Sequence, residues 1–145
     1  MSMERGSVFI PASPHVVREV LLRPLEMVQW NPAFRAIEGP PGASVGFKYA
    51  LKTVQGLSGS FWYDAISEDR IDMSWTVPGF TEHGTWELRE ATYGTSVMHQ
   101  FVHSGPLAAL LRAAYRGVAD LRLQRLTTRA LSGVVSLGWA ATKDR

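Results

Sequence analysis

A short strand, Val8-Phe9-Ile10-Pro11, runs into a helix opened by Ser13-Pro14, and the chain breaks again at Trp30-Asn31-Pro32 before any further strand-like alternation begins. A lone first strand leaves its backbone N–H and C=O groups unpaired, so it must return to pair with later strands. The residues after Pro32 supply those strands and one long C-terminal helix. The expected product is a sheet curled around a helix, with a hollow between them. Hollows of this kind hold apolar small molecules. The order of elements therefore bears on ligand class more than on chemistry.

The totals allow one domain. At 145 residues with 46% hydrophobic side chains, the chain can bury a substantial core. Fifteen basic against 13 acidic side chains leave a formal charge of +2, which gives nucleic acid little electrostatic reason to bind. There is no cysteine, so disulfides, thiolate catalysis and Cys-ligated zinc are excluded, and a cytoplasmic location is the expectation. The start, Met1-Ser2-Met3-Glu4-Arg5-Gly6, reads as neither a signal peptide nor a lipidation signal. Two stretches lack charge, 91–111 and 130–142, but the first carries His99, Gln100 and His103, and the second falls short of the roughly 20 apolar residues that span a bilayer. No integral membrane segment is expected.

Ser13 suits an N-cap and Pro14 the first helical turn, so a helix is predicted from Pro14 to about Leu22, burying Val16, Val17, Val20 and Leu21. Pro24 restarts a second short helix, Leu25 to Gln29, which Pro32 ends. Trp30 is placed at one end of the core. Strands are predicted at 34–38, 45–54, 58–67, 70–77, 80–91 and 94–104, separated by breaks at Gly39-Pro40-Pro41-Gly42, Gln55-Gly56, Glu68-Asp69-Arg70, Pro78-Gly79 and Thr92-Tyr93-Gly94. Two-residue turns at Pro78-Gly79 and Thr92-Tyr93 would pair Trp75 with Glu82, Met73 with Gly84, Trp86 with His99, Gly84 with Phe101 and Glu82 with His103. Both registers choose one inner face: Ile71, Met73, Trp75, Gly84, Trp86, Leu88, Val97 and Phe101, with Asp72, Ser74, Thr85, Glu87, Arg89 and Gln100 outside. Asp64 sends Phe61, Tyr63 and Ala65 inward and leaves Trp62 outside, covered by a loop or a partner. After Gly105-Pro106 a helical pattern runs to about Leu131 in two stripes, Leu107/Leu110/Leu111/Ala114/Val118/Leu121 and Tyr115/Ala119/Leu123/Leu126/Ala130. The apolar face shifts around Gly117, so the helix bends there or its halves pack on different surfaces. Residues 132–145 form an extension whose Val134, Val135, Leu137 and Trp139 suggest packing without saying where.

Val8-Phe9-Ile10-Pro11-Ala12-Ser13-Pro14, Val17-(x)2-Val20-Leu21, Trp30-Asn31-Pro32, Gly94-Thr95-Ser96-Val97-Met98-His99 and Ser104-Gly105-Pro106-Leu107, in that order, resemble the polyketide cyclase/dehydrase and lipid transport (SRPBCC) superfamily over residues 6 to 131. The resemblance implies an α+β helix-grip, START-like fold: a curved antiparallel sheet of about seven strands, two short helices after the first, and a long C-terminal helix in its grip. The superfamily fixes no single activity. Aromatase/cyclases of this kind carry a Tyr after the Trp-x-Pro region and an Arg near the end of the strand corresponding to 58–67. Here those places hold Ile37 and Asp69, with Arg70 adjacent.

Several polar residues are candidates. His99 and His103 are four apart on a strand, roughly 13 Å at about 3.3 Å per residue, so a shared metal is not expected. His99 beside Trp86 either hydrogen-bonds a ligand oxygen or is a core histidine with a neighbouring hydroxyl or water as partner. Glu82 opposite His103 is either a proton-shuttling pair or a wet rim ion pair. Tyr49, Tyr63, Met73, Trp75, Trp86 and Phe101, with His99, His103, Leu111 and Tyr115, line a pocket for a flat apolar ligand or simply fill the core. Arg112, Arg116, Arg122, Arg125 and Arg129 read as a solvated helix face. There is no nucleophile elbow, phosphate-binding loop or metal cluster in the sequence, and no cofactor is expected.

These readings converge on binding of a hydrophobic or aromatic small molecule, polyketide-like or lipid-like, in an internal cavity. Two alternatives stand beside it: a cyclase/dehydrase-type enzyme using Tyr63, His99, Glu82 or His103 as acid and base, and a homodimerising or protein-interaction module using Trp62 and the basic helix.

Overall fold

The structure, a computed structural model, describes residues 2–143, with side chains described for residues 3–132. Seven antiparallel strands form one sheet in the order β1-β7-β6-β5-β4-β3-β2: β1 Ser2–Ile10, β2 Phe34–Glu38, β3 Tyr49–Thr53, β4 Ser58–Ile66, β5 Arg70–Val77, β6 Phe80–Ala91 and β7 Gly94–Ser104. The first strand does return, pairing along β7 from Ser2 with His103 to Ile10 with Thr95. Between β1 and β2 lie helix α1, Pro14–Leu21, and a 3-10 helix, Pro24–Gln29. The Ser13 hydroxyl accepts the Val16 N–H, which gives α1 its N-cap.

Both hairpin registers follow from their turns. Val77 pairs with Phe80 across Pro78-Gly79, and Ala91 with Gly94 across Thr92-Tyr93, where Tyr93 takes the left-handed φ of 68° that such a tight turn demands. Trp75–Glu82, Met73–Gly84, Trp86–His99, Gly84–Phe101 and Glu82–His103 are all cross-strand partners. The inner face carries the core, including Ile71, Met73, Trp75, Trp86, Leu88, Val97 and Phe101.

Three details differ from the sequence expectation, and a fourth, the outward Trp62, agrees with it. Residues 45–48 are not strand, apart from an isolated parallel bridge between Val45 and Tyr63. Ala65 is exposed rather than inward, because a bulge between Tyr63 and Ala65 resets the side-chain alternation. Ser74 lies on the outer face yet is fully buried, held between the Asp64 carboxylate and the His83 imidazole. Trp62 also stays on the outer face, donating its indole N–H to Asp64 at 2.9 Å with the Lys48 ammonium 5.1 Å from its ring.

The helical region breaks where its apolar stripe shifts. A single turn, α2 Ala108–Leu111, is followed by turns to Gly117, whose φ of 81° stops any continuous helix, and α3 then runs from Val118 to Lys143. The second stripe is the one that packs: Ala119, Leu123, Leu126 and Ala130 are buried, whereas Leu110 and Ala114 face water. The 132–145 extension is helical as far as Lys143, and Val134, Val135, Leu137 and Trp139 lie outside the described side chains. Helix α3 crosses β1 at Gly6, where a Cβ would come within 2.5 Å of Asp120 Oδ1 and 3.0 Å of Leu123 Cδ1. That close approach brings the next inward side chain of α3, Arg122, down to the sheet.

Candidate functional site

Arg122 follows Ala119 by three residues and precedes Leu126 by four, so it shares their buried face. It is only 1% exposed. Its guanidinium donates to both oxygens of Glu82, Nη1 to Oε2 at 2.8 Å and Nη2 to Oε1 at 3.0 Å. His103 Nε2 donates to the same Glu82 Oε1 at 2.8 Å. Arg122 Nη1 also lies 3.3 Å from His99 Nε2, while His99 Nδ1 lies 3.0 Å from the Thr85 carbonyl. The two His99 contacts together select one tautomer, with Nδ1–H donating to the carbonyl and Nε2 accepting from arginine. The cluster is set in rings: Arg122 stands 4.7 Å from the Phe101 centroid, and His99 stacks on Trp86 at 3.6 Å.

Burial alone would raise the Glu82 carboxyl, but the Arg122 charge and the hydrogen bonds from His103 and Arg122 outweigh it and hold the group at about 2. His99 moves to about 3, first because burial disfavours the imidazolium and then because the Arg122 charge repels it. Tyr115, packed 4.5 Å from His103, is pushed up to about 12 by burial and by the Glu82 charge. The arrangement is therefore a buried carboxylate–guanidinium pair flanked by a neutral His99, with His103 hydrogen-bonded to the carboxylate.

This geometry corrects two sequence readings. Glu82 and His103 are not a wet rim pair; α3 and the rings of Phe80 and Tyr115 cover them. Arg122 is not part of a solvated face, although Arg112, Arg116 and Arg125 are exposed as expected. His99 has a backbone carbonyl and a guanidinium as partners, where a neighbouring hydroxyl is one of the expectations.

The other candidates belong to one continuous layer of rings. Tyr49 meets Phe61, Phe61 meets Tyr63 and Phe34, Phe34 meets Trp75, and Trp75 meets Phe80 at the edge of the ionic cluster, with centroids 5.2 to 6.1 Å apart. Trp86 meets Trp30 edge-on at 5.5 Å, which places Trp30 at the end of the core. Met73 is buried in this layer and Leu111 is half-buried on α2. The Tyr hydroxyls are engaged: Tyr63 donates to the Leu21 carbonyl at 2.6 Å and Tyr49 to the Gly42 carbonyl at 2.7 Å. Ile37 is buried on β2, Asp69 sits in the exposed β4–β5 turn, and Arg70 pairs outward with Asp72 and Glu87. Arg70 thus does not reach the interior. Among the described residues, four buried donors have no acceptor: Arg122 Nε and the indole N–H groups of Trp30, Trp75 and Trp86.

Among the described residues, two surface clefts flank α3. One of ≈ 360 Å³ is lined by Gln29, Trp30, Arg125, Thr128, Arg129 and Ser132. The other, of ≈ 260 Å³, is lined by Met3, Glu4, Phe101, His103, Arg112, Tyr115 and Arg116, and so reaches the outer side of the ionic cluster. Among the described residues no helix is long and apolar enough to cross a membrane.

A seven-stranded antiparallel sheet gripping a C-terminal helix defines a helix-grip fold, here with an ion pair buried at the grip. No protein-family description and no curated protein matches the sequence. Solved structures do share the fold. A hypothetical protein of Helicobacter pylori superposes with a TM-score of 0.71 at 11% identity, over 89% of this chain and 88% of that one. Ara h 8.0201 gives a TM-score of 0.67 at 17% identity, covering 90% and 98% of the two chains. DynU16, described as a putative protein in the dynemicin biosynthetic locus, gives 0.64 at 20% identity, over 92% of this chain and 48% of its own.

Proposed function

We propose that this protein binds an apolar or aromatic small molecule that carries an acceptor oxygen, held between the sheet and α3 beside Arg122. The observation that carries this reading is a set of buried donors with no acceptor among the described residues: Arg122 Nε in the ionic cluster and the Trp75 and Trp86 indole N–H groups in the ring layer. A buried N–H without a partner costs roughly 1–3 kcal/mol, and a ligand carbonyl or hydroxyl would recover that cost. The likeness to Ara h 8.0201 and to a protein of the dynemicin locus supports a ligand-binding use of the fold.

An acid–base enzyme of the cyclase/dehydrase kind has less support. The Tyr63 proton is committed to the Leu21 carbonyl, and a carboxyl held at about 2 by arginine is a weak base. Native mass spectrometry of protein from its own host tests the binding reading, with a retained small molecule as the expected result. Thermal unfolding against a panel of aromatic ketones, phenols and fatty acids supplies the second readout. No retained mass and no stabilisation by any member would overturn it.

A further inference from the structure

We propose that the cleft beside His103 is a recognition site for an aromatic carboxylate, with its ring between Tyr115 and Met3 and its anion between Arg112 and Arg116. This goes beyond the small-molecule reading above: it is a separate surface site, defined by the charge of its ligand. The floor is the half-buried Tyr115 ring, backed by two buried rings: Tyr115 meets His103 edge-on at 4.5 Å, and Phe101 stacks on His103 at 4.7 Å. Two guanidinium side chains stand at the rim, and neither forms an ion pair among the described residues. The one carboxylate in the cleft, Glu4, accepts the Gly117 backbone N–H and is thereby fixed to the α2–α3 joint. Two arginines against one glutamate leave the cleft with a surplus of one positive charge. A monoanion matches that surplus, and a planar carboxylate matches the fork of a guanidinium. The volume of ≈ 260 Å³ suits one or two fused rings rather than a long acyl chain. The cleft also shares His103 with the buried cluster, so an occupant would sit one side chain away from Glu82 and Arg122.

Calorimetric titration of the full chain with 2-naphthoate, against the uncharged isostere 2-naphthamide, tests the inference. Naphthoate should bind about tenfold more tightly, as charge-assisted hydrogen bonds predict, and the preference should shrink in high salt. In the Arg112→Gln/Arg116→Gln double variant the preference should vanish while naphthamide affinity and thermal stability stay unchanged, since both arginines are exposed. Amide NMR shifts should gather at Met3, Phe101, His103 and Tyr115. Equal affinity for the two compounds, a preference that survives in the double variant, or shifts gathered elsewhere would each overturn the anionic site while leaving small-molecule binding standing. If neither compound binds and no member of the thermal panel stabilises the chain, both readings fall.

Discussion

Glu82 of β6 and Arg122 of α3 lie 40 residues apart and are joined by two hydrogen bonds of 2.8 and 3.0 Å, both side chains almost wholly out of water. The pair fixes the roll of α3 on the sheet, because a guanidinium so deeply buried has to meet its carboxylate in one geometry. Removing one partner leaves the other charge stranded. Arg122→Leu should therefore cost about 3–5 kcal/mol of stability, whereas Arg122→Leu with Glu82→Leu should recover most of it, since an apolar replacement of a whole buried pair is often neutral. Urea unfolding of the two single variants and the double variant measures this, and a double variant as unstable as the sum of the singles would refute the coupling.

Only half of this pair's surroundings is legible in the sequence. The cross-strand partners Glu82 and His103 follow from the single Thr92-Tyr93 turn and simple counting, since a two-residue turn leaves a strand register no freedom. What counting along strands does not reveal is what lies above them. The end of β6 looked wet because the covering elements, Tyr115 and α3, come from far along the chain. By residue type Arg122 is one of five arginines on the helix, but its spacing from Ala119 and Leu126 puts it on the buried stripe, and that spacing is the signal the sequence carries. The break at Gly117 was visible as a shift of the apolar face, because a change of helix direction must change which residues meet the core. Ala65 was misplaced for the opposite reason, as a single bulged residue reverses alternation without altering composition.

His99 makes folding sensitive to acid. Its imidazole sits at about 3 in the fold against an ordinary 6.5, so between those values the unfolded chain binds a proton that the native state refuses. Stability is therefore intact above pH 6.5 and is lost as pH falls toward 3, with the Glu82 carboxyl adding a second loss below its ordinary 4.5. Between pH 7.5 and 5.5 the wild type should lose on the order of 1 kcal/mol through this group. His99→Gln should flatten that interval while keeping the loss at lower pH. Urea midpoints at pH 7.5, 5.5 and 4 report it, and an unchanged profile in the variant would exclude His99 as the source.

Gly117 sets the joint between α2 and α3 with a φ of 81°, in open space where no neighbour lies within 4 Å of a Cβ. Sterics with neighbours are thus irrelevant there and only the backbone matters. Gly117→Ala should cost about 1–2 kcal/mol, and Gly117→Asn less, because asparagine tolerates the left-handed region better. Thermal unfolding of the two variants gives the order. Equal stability of glycine, alanine and asparagine would mean that the joint adopts another conformation at no cost, and that Glu4 does not hold it in place.

Tyr63 separates a structural role from a catalytic one. Its hydroxyl donates to the Leu21 carbonyl at 2.6 Å, tying the inner face of β4 to the end of α1, and burial pushes its ionisation well above the usual phenol range. A phenol so placed is a poor proton donor to any substrate, because losing the proton would leave a buried phenolate against a carbonyl oxygen. Tyr63→Phe should cost about 1–3 kcal/mol by orphaning that carbonyl, and should leave affinity for a bound aromatic ligand within a factor of about two. Urea unfolding and ligand titration on the same variant check the two halves. Unaltered stability combined with a lost ligand response would place the hydroxyl in the binding site and break its assignment as a strut between β4 and α1.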